Sequence, residues 1–244
     1  MTNRDLESDS MGGDFRGQLS DGRRAMAHLI HVWHERNDWS HKVLPALADA
    51  LGLGRVHSSQ ISNLRNGKLA SPGPEVFLAL AQTNMVLYKG IDSIEKLLGK
   101  VHPELLKVLV DSSKSLTGDD GKPLRAGELF EIFLGISPLP SCFDWFIDEQ
   151  EAASLSEALA DYLCRGKTWR QCSKNVMGAY PIHRTQRRDR FAQVMAGLKD
   201  YTAEQLDGEL LDLHATNLAL GDSSVHDAQG FLSELRFRAN SKDS

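Results

Sequence analysis

The sequence predicts an all-α protein, and three observations support this fold class. Apolar residues recur at helical spacing along most of the chain, for example at Met26, Leu29, Ile30 and Trp33. Alternating strand patterns are few, and the chain shows neither an internal repeat nor long coiled-coil heptads. Its 244 residues, 41% hydrophobic and 25% charged, suffice for two domains with their own cores. We therefore predict an N-terminal unit of four helices followed by a helical C-terminal domain.

The first residues predict no ordered structure. Residues 1–20 are polar, contain glycine and lack a period, so we expect a disordered tail. They also lack the apolar segment of a signal peptide, and no later stretch reaches the roughly 18 apolar residues of a membrane span. We predict a soluble, cytoplasmic protein without a membrane partner. The helical period starts at Asp21, where the first helix is expected to begin.

Three short helices are expected to follow the first one. The second starts near Val43 and ends at Gly52, and Pro45 is tolerated because it lies in the first turn. The third follows an N-cap at His57 or Ser58 and carries Ile61 and Leu64. Pro74 opens the fourth. The apolar residues expected to face inward on the second and fourth helices are Leu44, Leu47, Ala48, Leu51, Val76, Phe77, Leu80 and Ala81.

After Tyr88 the pattern remains helical but less regular, so the predicted domains are residues 21–88 and 89–244. Residues 129–136, "LFEIFLGI", fit a helix or a buried strand, and the sequence leaves both open. Thr202 and Gln205 form a capping-box pattern. The apolar residues that mark the later helices are Leu155, Leu159, Tyr162, Leu163, Leu206, Leu210 and Leu213.

The third helix has an unusual composition that indicates a function. In "ISNLRNGK", residues 61–68, two apolar residues anchor the helix, and hydroxyls and amides fill its other face. Four short helices with a glycine-closed turn between the second and third are typical of a helix-turn-helix unit. Hydroxyls and amides can read base edges in the major groove, and the Asn66-Gly67-Lys68 turn suits a chain that passes a phosphate.

The same region resembles the Cro/C1-type (XRE) helix-turn-helix family of bacterial and phage regulators. The segments that carry the resemblance are "LADALG", "SSQISNLRNGK" and "PEVFLALA", within about residues 22–84. The matching positions are Leu47, Ala48, Gly52, Ile61, Leu64, Asn66, Gly67, Lys68, Leu80 and Ala81. The turn departs from the family, because Ile61 lies nine residues after Gly52 and family members have a shorter connection. The added residues are expected to bulge and to bring Arg55 and His57 towards DNA.

The resemblance implies which residues meet DNA. The predicted base-contacting residues are Ser58, Ser59, Gln60, Ser62 and Asn63. The resemblance implies that Asn66 and Lys68 contact phosphates, and the cations of the same region, Lys42, Arg55 and Arg65, are predicted to do so as well. Residues 41–70 have a local charge of +3, although the chain as a whole carries −5.

A second basic block covers residues 165–190, with eight Lys or Arg against Asp189. Arg184, Arg187 and Arg188 could follow a phosphate backbone and form a second basic surface. Alternatively, the block docks on the acidic segment of the same chain, residues 71–160, or on a protein partner. The sequence favours self-contact or a partner over DNA.

Other candidate sites are weak. His28, His31 and His34 recur every three residues, but no ligand set is complete near them, so we expect surface or interface histidines and no metal. The three cysteines form no CxxC pair and are expected to be buried thiols. No nucleophile, P-loop or dinucleotide motif is present. The sequence therefore predicts neither an enzyme nor a cofactor.

The predicted function is sequence-specific binding of double-stranded DNA by a transcriptional regulator. The third helix, residues 58–66, would read the major groove. One such helix offers little contact, so we expect a homodimer on a two-fold site, joined by the C-terminal domain. The alternative is a DNA-positioning adaptor in a nucleoprotein assembly, whose C-terminal domain binds a protein partner.

Overall fold

The all-α fold is confirmed in a computed structural model that describes residues 4–54, 56–68, 71–98 and 102–242. The helices in these ranges are α1 (Arg4–Asn37), α2 (Val43–Ala50), α3 (Ser58–Arg65), α4 (Pro74–Tyr88), α5 (Ile91–Leu98), α6 (Pro103–Asp111), α7 (Ala126–Leu134), α8 (Ala152–Cys164), α9 (Trp169–Ala179), α10 (Thr185–Met195), α11 (Ala203–Ala219) and α12 (Ala228–Lys242). A 3₁₀ turn, Ser141–Phe143, lies between α7 and α8. No strand occurs in these ranges. None of their helices is both long and apolar enough to cross a membrane.

The chain forms two compact units, Met1–Phe143 and Asp144–Ser244. This division differs from the predicted boundary after Tyr88. Helix α7 packs on α1 and α4, where the Phe77 ring lies 5.2 Å from Phe130 and 5.5 Å from Phe133 between centroids. Helices α5 to α7 therefore complete the core of the N-terminal unit.

Helix α1 begins earlier than predicted. The sequence predicted a disordered tail for residues 1–20, whereas the structure includes residues 4–20 in α1, and residues 1–3 lie outside the described ranges. The end of α7 supports this part of α1, because Gln18 Nε2 donates to Gly135 O at 3.0 Å. At Gly22 a Cβ atom would meet Gly135 N at 2.2 Å, so only glycine allows this approach. These contacts with the end of α7 lie far apart in the sequence, so a local pattern could not reveal them at residues 18–22.

The segment "LFEIFLGI" is helical over most of its length. Leu129, Ile132 and Phe133 are buried on α7, and Gly135 ends the helix with a φ of +70°. The left-handed conformation is one that glycine adopts readily. The strand alternative is thereby excluded.

The C-terminal unit is built around α11. Most of the α11 side chains are buried, including Leu206, Leu210 and Leu213, and the predicted Thr202–Gln205 capping box is present. Helices α8, α9 and α12 pack around α11. Arg236 of α12 pairs with Glu151 at the start of α8. The unit, Asp144–Ser244, thus has its own core, although the predicted C-terminal domain began at residue 89.

Candidate nucleic-acid interface

Helix α3 begins and ends where the sequence predicted. His57 is the N-cap, and its backbone N–H donates to Gln60 Oε1 at 2.9 Å. Ile61 and Leu64 are buried, and α3 packs on α1 and α2. At its other end, the Lys68 N–H donates to Asn63 O at 2.8 Å around Gly67, whose φ is +64°. The short helix is therefore held at both ends and along one face.

The opposite face of α3 is open. Ser59, Asn63, Asn66 and Lys68 are exposed. Among the described residues, none hydrogen-bonds to these four side chains. Their hydroxyl, amide and ammonium groups are thus available to an external partner.

The other three predicted base-contacting residues are less available. Ser58, Ser62 and Gln60 are half-buried. The Gln60 side-chain oxygen is engaged in the N-terminal cap of α3, so only its amide NH₂ remains for other contacts. Of the five predicted base-contacting residues, Ser59 and Asn63 are therefore the two with exposed side chains.

Arg65 differs from its predicted role as a phosphate contact. Its Nε donates to His31 Nδ1 at 2.9 Å, and its second terminal nitrogen pairs with Glu35 Oε1 at 2.9 Å. Both charged side chains are about one-fifth exposed, at 22% and 21%. Arg65 thus fixes α3 on α1, and the sequence could not show this because Glu35 lies 30 residues away.

The α1 histidines are more buried than predicted. Burial, together with the Arg65 charge, lowers the pKa of His31 to about 4, so the ring is neutral near pH 7 and its Nδ1 accepts the hydrogen bond that Arg65 Nε donates. His34 is fully buried and makes a 2.7 Å hydrogen bond to Ile30 O. Burial also lowers the pKa of His34 to about 4. The prediction of surface histidines is therefore wrong for His34.

The connection between α2 and α3 is longer than in the Cro/C1-type family that this region resembles. It contains one buried apolar residue. Val56 is buried, while Gly52 and Gly54 take left-handed φ values of +67° and +87°. Lys42 is exposed just before α2. Arg55, a predicted phosphate contact, lies outside the described residues.

Arg187, which the sequence placed on a second basic surface, is buried. This residue is 1% exposed, and its guanidinium pairs with Glu209 and with Asp212, the latter at 2.9 Å. Glu209 also accepts from Tyr180 at 2.5 Å and from Arg190 at 3.0 Å. Burial alone would raise the pKa of Glu209, but the Arg187 charge outweighs it and lowers that pKa. Arg187 belongs to the core of the C-terminal unit.

The other two residues of that predicted surface are half-buried. Arg188 donates to Ile182 O at 2.8 Å and to Met177 O at 2.9 Å. Its guanidinium thus links α10 to α9 and to the loop between them. Arg184 is the N-cap of α10. Arg187 and Arg188 thus contact groups of their own unit. The partners of Arg187 are acids of α11 and not of residues 71–160.

One signal in the sequence could have identified Arg187 as buried. Arg187, Phe191 and Val194 recur at i, i+4 and i+7, the spacing of one helical face, and the two apolar residues are fully buried. A cation on an apolar face needs an acid opposite. Glu209 and Asp212 lie likewise among the buried leucines of α11.

Comparison with known proteins finds two family matches. Residues 16–135 match a domain of unknown function (DUF8644), and residues 152–244 match a second domain of unknown function (DUF8645). No curated protein and no solved structure matches the chain. Each matched segment falls within one of the two compact units.

Proposed function

We propose that the protein binds double-stranded DNA sequence-specifically through α3 and acts as a transcriptional regulator. The observation that carries this proposal is the two-sided character of α3. Ile61 and Leu64 are buried within the unit, whereas Ser59 and Asn63 are exposed and engaged by no described residue. An amide can form a bidentate pair with adenine, and a hydroxyl can donate to or accept from any base edge.

The fixed position of α3 supports base reading. A reading helix must hold its side chains within a fraction of an ångström, which requires support from neighbouring elements. Arg65 supplies this support through His31 and Glu35 on α1, and the His57–Gln60 cap supplies it at the other end. Since neither support uses Ser59 or Asn63, both stay available for bases.

The charge around α3 supports modest affinity for one copy. Lys42 just before α2 and Lys68 just after α3 are exposed cations, and the acidic Asp49 of α2 is exposed as well. Each neutralised phosphate adds to a salt-dependent affinity, so two lysines give weak non-specific binding. We therefore propose that two copies bind a two-fold site as a homodimer, with Lys42, Asn66 and Lys68 on phosphates.

The alternative proposal is a DNA-positioning adaptor. One observation favours it: Leu198 and Phe237 of the C-terminal unit are 79% and 68% exposed. Large exposed apolar side chains occur where a protein partner binds, although single ones also occur on ordinary surfaces. Under this alternative, the C-terminal unit would bind a protein, and α3 would only orient the assembly on DNA.

A random-site selection with the purified full-length protein distinguishes these proposals. A regulator enriches one short two-fold sequence motif, and light scattering of the complex gives two chains per duplex. An adaptor enriches no motif alone and binds tightly only with its partner. If labelled duplexes of any sequence show no binding at 50 mM salt, DNA binding by this chain is excluded.

A further inference from the structure

Two cysteines of the C-terminal unit lie close together. The Sγ atoms of Cys164 and Cys172 are 2.9 Å apart, and both are free thiols. Cys164 is the last residue of α8, and Cys172 lies on α9 just after its first turn. A tight turn reverses the chain between them, with left-handed φ values of +53° at Arg165 and +72° at Gly166. The helices that hold the two sulfurs are therefore adjacent in sequence and in space.

This separation is close to that of a bonded pair. A disulfide bond is about 2.05 Å long, so the two sulfurs need to approach by about 0.9 Å. The third cysteine, Cys142, belongs to the N-terminal unit, where its thiol hydrogen-bonds to Thr117 O at 3.7 Å. It supplies an internal control for any reaction of the pair.

A cleft of the C-terminal unit is lined by one of the two cysteines. It has a volume of about 590 Å³ and lies beside α8 and α9. Cys164 lines it, whereas Cys172 does not. Lys167, Thr168 and Trp169 form part of the same wall. A molecule that enters the cleft therefore lies against Cys164, which is 6% exposed, and not against Cys172.

We propose that Cys164 and Cys172 form a thiol modification site for low-molecular-weight disulfides of the glutathione type. In the first step, the Cys164 thiolate attacks one sulfur of the small disulfide, whose S–S bond breaks, and one small thiol leaves. In the second step, the Cys172 thiolate attacks Cys164 Sγ, the mixed disulfide breaks and a second small thiol leaves. The cysteines are oxidised to a disulfide, the reagent is reduced to two thiols, and the two cysteine protons end on those thiols.

The environment makes this reaction slow and reversible. Burial, together with the hydrogen bond from Cys172, raises the pKa of Cys164 to about 12, which lowers its thiolate fraction near neutral pH. The rate should therefore rise with pH. A reducing compartment keeps both thiols free, and an excess of the oxidised reagent closes the bond. This inference does not depend on DNA binding.

The test uses the full-length protein incubated with oxidised glutathione. The protein is then unfolded, alkylated with N-ethylmaleimide and analysed by mass spectrometry. We expect a loss of two hydrogens, a cross-linked peptide that joins Cys164 to Cys172, and alkylation of Cys142. The disulfide should also raise the melting temperature of the C-terminal unit by roughly 10 °C.

Two variants complete the test. Cys172→Ser should stop at a glutathione adduct on Cys164, and Cys142→Ser should behave as the wild type. The proposal is overturned if the wild type keeps a stable adduct on Cys164 without closing the bond. It is also overturned if Cys164 and Cys172 are alkylated as fully as Cys142 after oxidation.

Discussion

Helix α3 and helix α10 both carry polar residues that suggest a DNA-binding surface, but these residues differ in their exposure to solvent. On α3, Asn63 is exposed and Ile61 is buried, and Lys68 is exposed in the turn that follows. On α10, Arg187 is buried beside Phe191 and pairs with acids of α11. The count of cations is higher around α10, with eight in residues 165–190, yet α3 has the open face. The position of a polar residue relative to the apolar stripe is thus more informative than local charge.

The largest effect should follow Arg187→Ala. This change leaves Glu209 and Asp212 buried without their main counter-charge, which costs roughly 3–5 kcal/mol of unfolding free energy. Denaturant unfolding of the full-length protein measures the loss, and DNA affinity of the folded variant should not change. Lys174→Ala, an exposed cation in the same basic block, is the matched control and should change stability by less than about 0.5 kcal/mol. Equal small effects would show that Arg187 is not part of the core.

A smaller effect should appear in the N-terminal unit on acidification. The folded-state pKa values of His31 and His34, about 4, lie below their ordinary value of 6.5, so the unfolded chain binds more protons between these limits. The stability contributed by the neutral rings is present above pH 6.5 and is lost as pH falls through 4. The urea concentration at the unfolding midpoint should therefore decrease as the pH is lowered from 7 to 4.

Two histidine variants test whether this loss of stability comes from α1. His31→Gln should reduce the pH slope, because one of the two titrating groups is removed. His183→Gln changes an exposed histidine of the C-terminal unit and should leave the slope unaltered. An unchanged slope in the His31 variant would mean that other groups dominate acid sensitivity.

The comparison also shows how much the sequence could predict. The first four helices were predictable because each has its own apolar period and its own breakers, such as Gly52 and Pro74. The unit boundary was not, since Phe133 of α7 meets Phe77 of α4 only in the folded chain. The exposed face of α3 follows from local spacing, which is why Ser59 and Asn63 were identified correctly as open residues.

Pairing between distant residues limited the prediction of the sites. Arg65 looks like a free cation in the sequence, and its partners on α1 are brought to it by helix packing. The same holds for the Arg187–Glu209 pair, whose partners are 22 positions apart in the sequence. Local patterns predict which residues face outward, and long-range pairs decide which charges remain free.

The smallest effect should come from Lys68→Ala. If Lys68 meets a phosphate, the variant binds all duplexes more weakly, and the slope of log affinity against log salt falls by about one unit. Fluorescence anisotropy at 50 to 200 mM salt measures this slope. Lys89→Ala, an exposed lysine of the same unit, is the control and should keep the wild-type slope. If the Lys68 variant keeps the wild-type slope of log affinity against log salt, Lys68 does not contact the DNA backbone.

Base reading by α3 is tested most directly by comparing wild-type and Asn63→Ala proteins on the selected duplex and on a scrambled duplex. Asn175→Ala, an exposed asparagine of α9, is the matched control. We predict that Asn63→Ala costs roughly 1–3 kcal/mol on the selected duplex and almost nothing on the scrambled one, and that Asn175→Ala alters neither. Equal losses of Asn63→Ala on both duplexes, or no loss on either, would contradict base reading by α3.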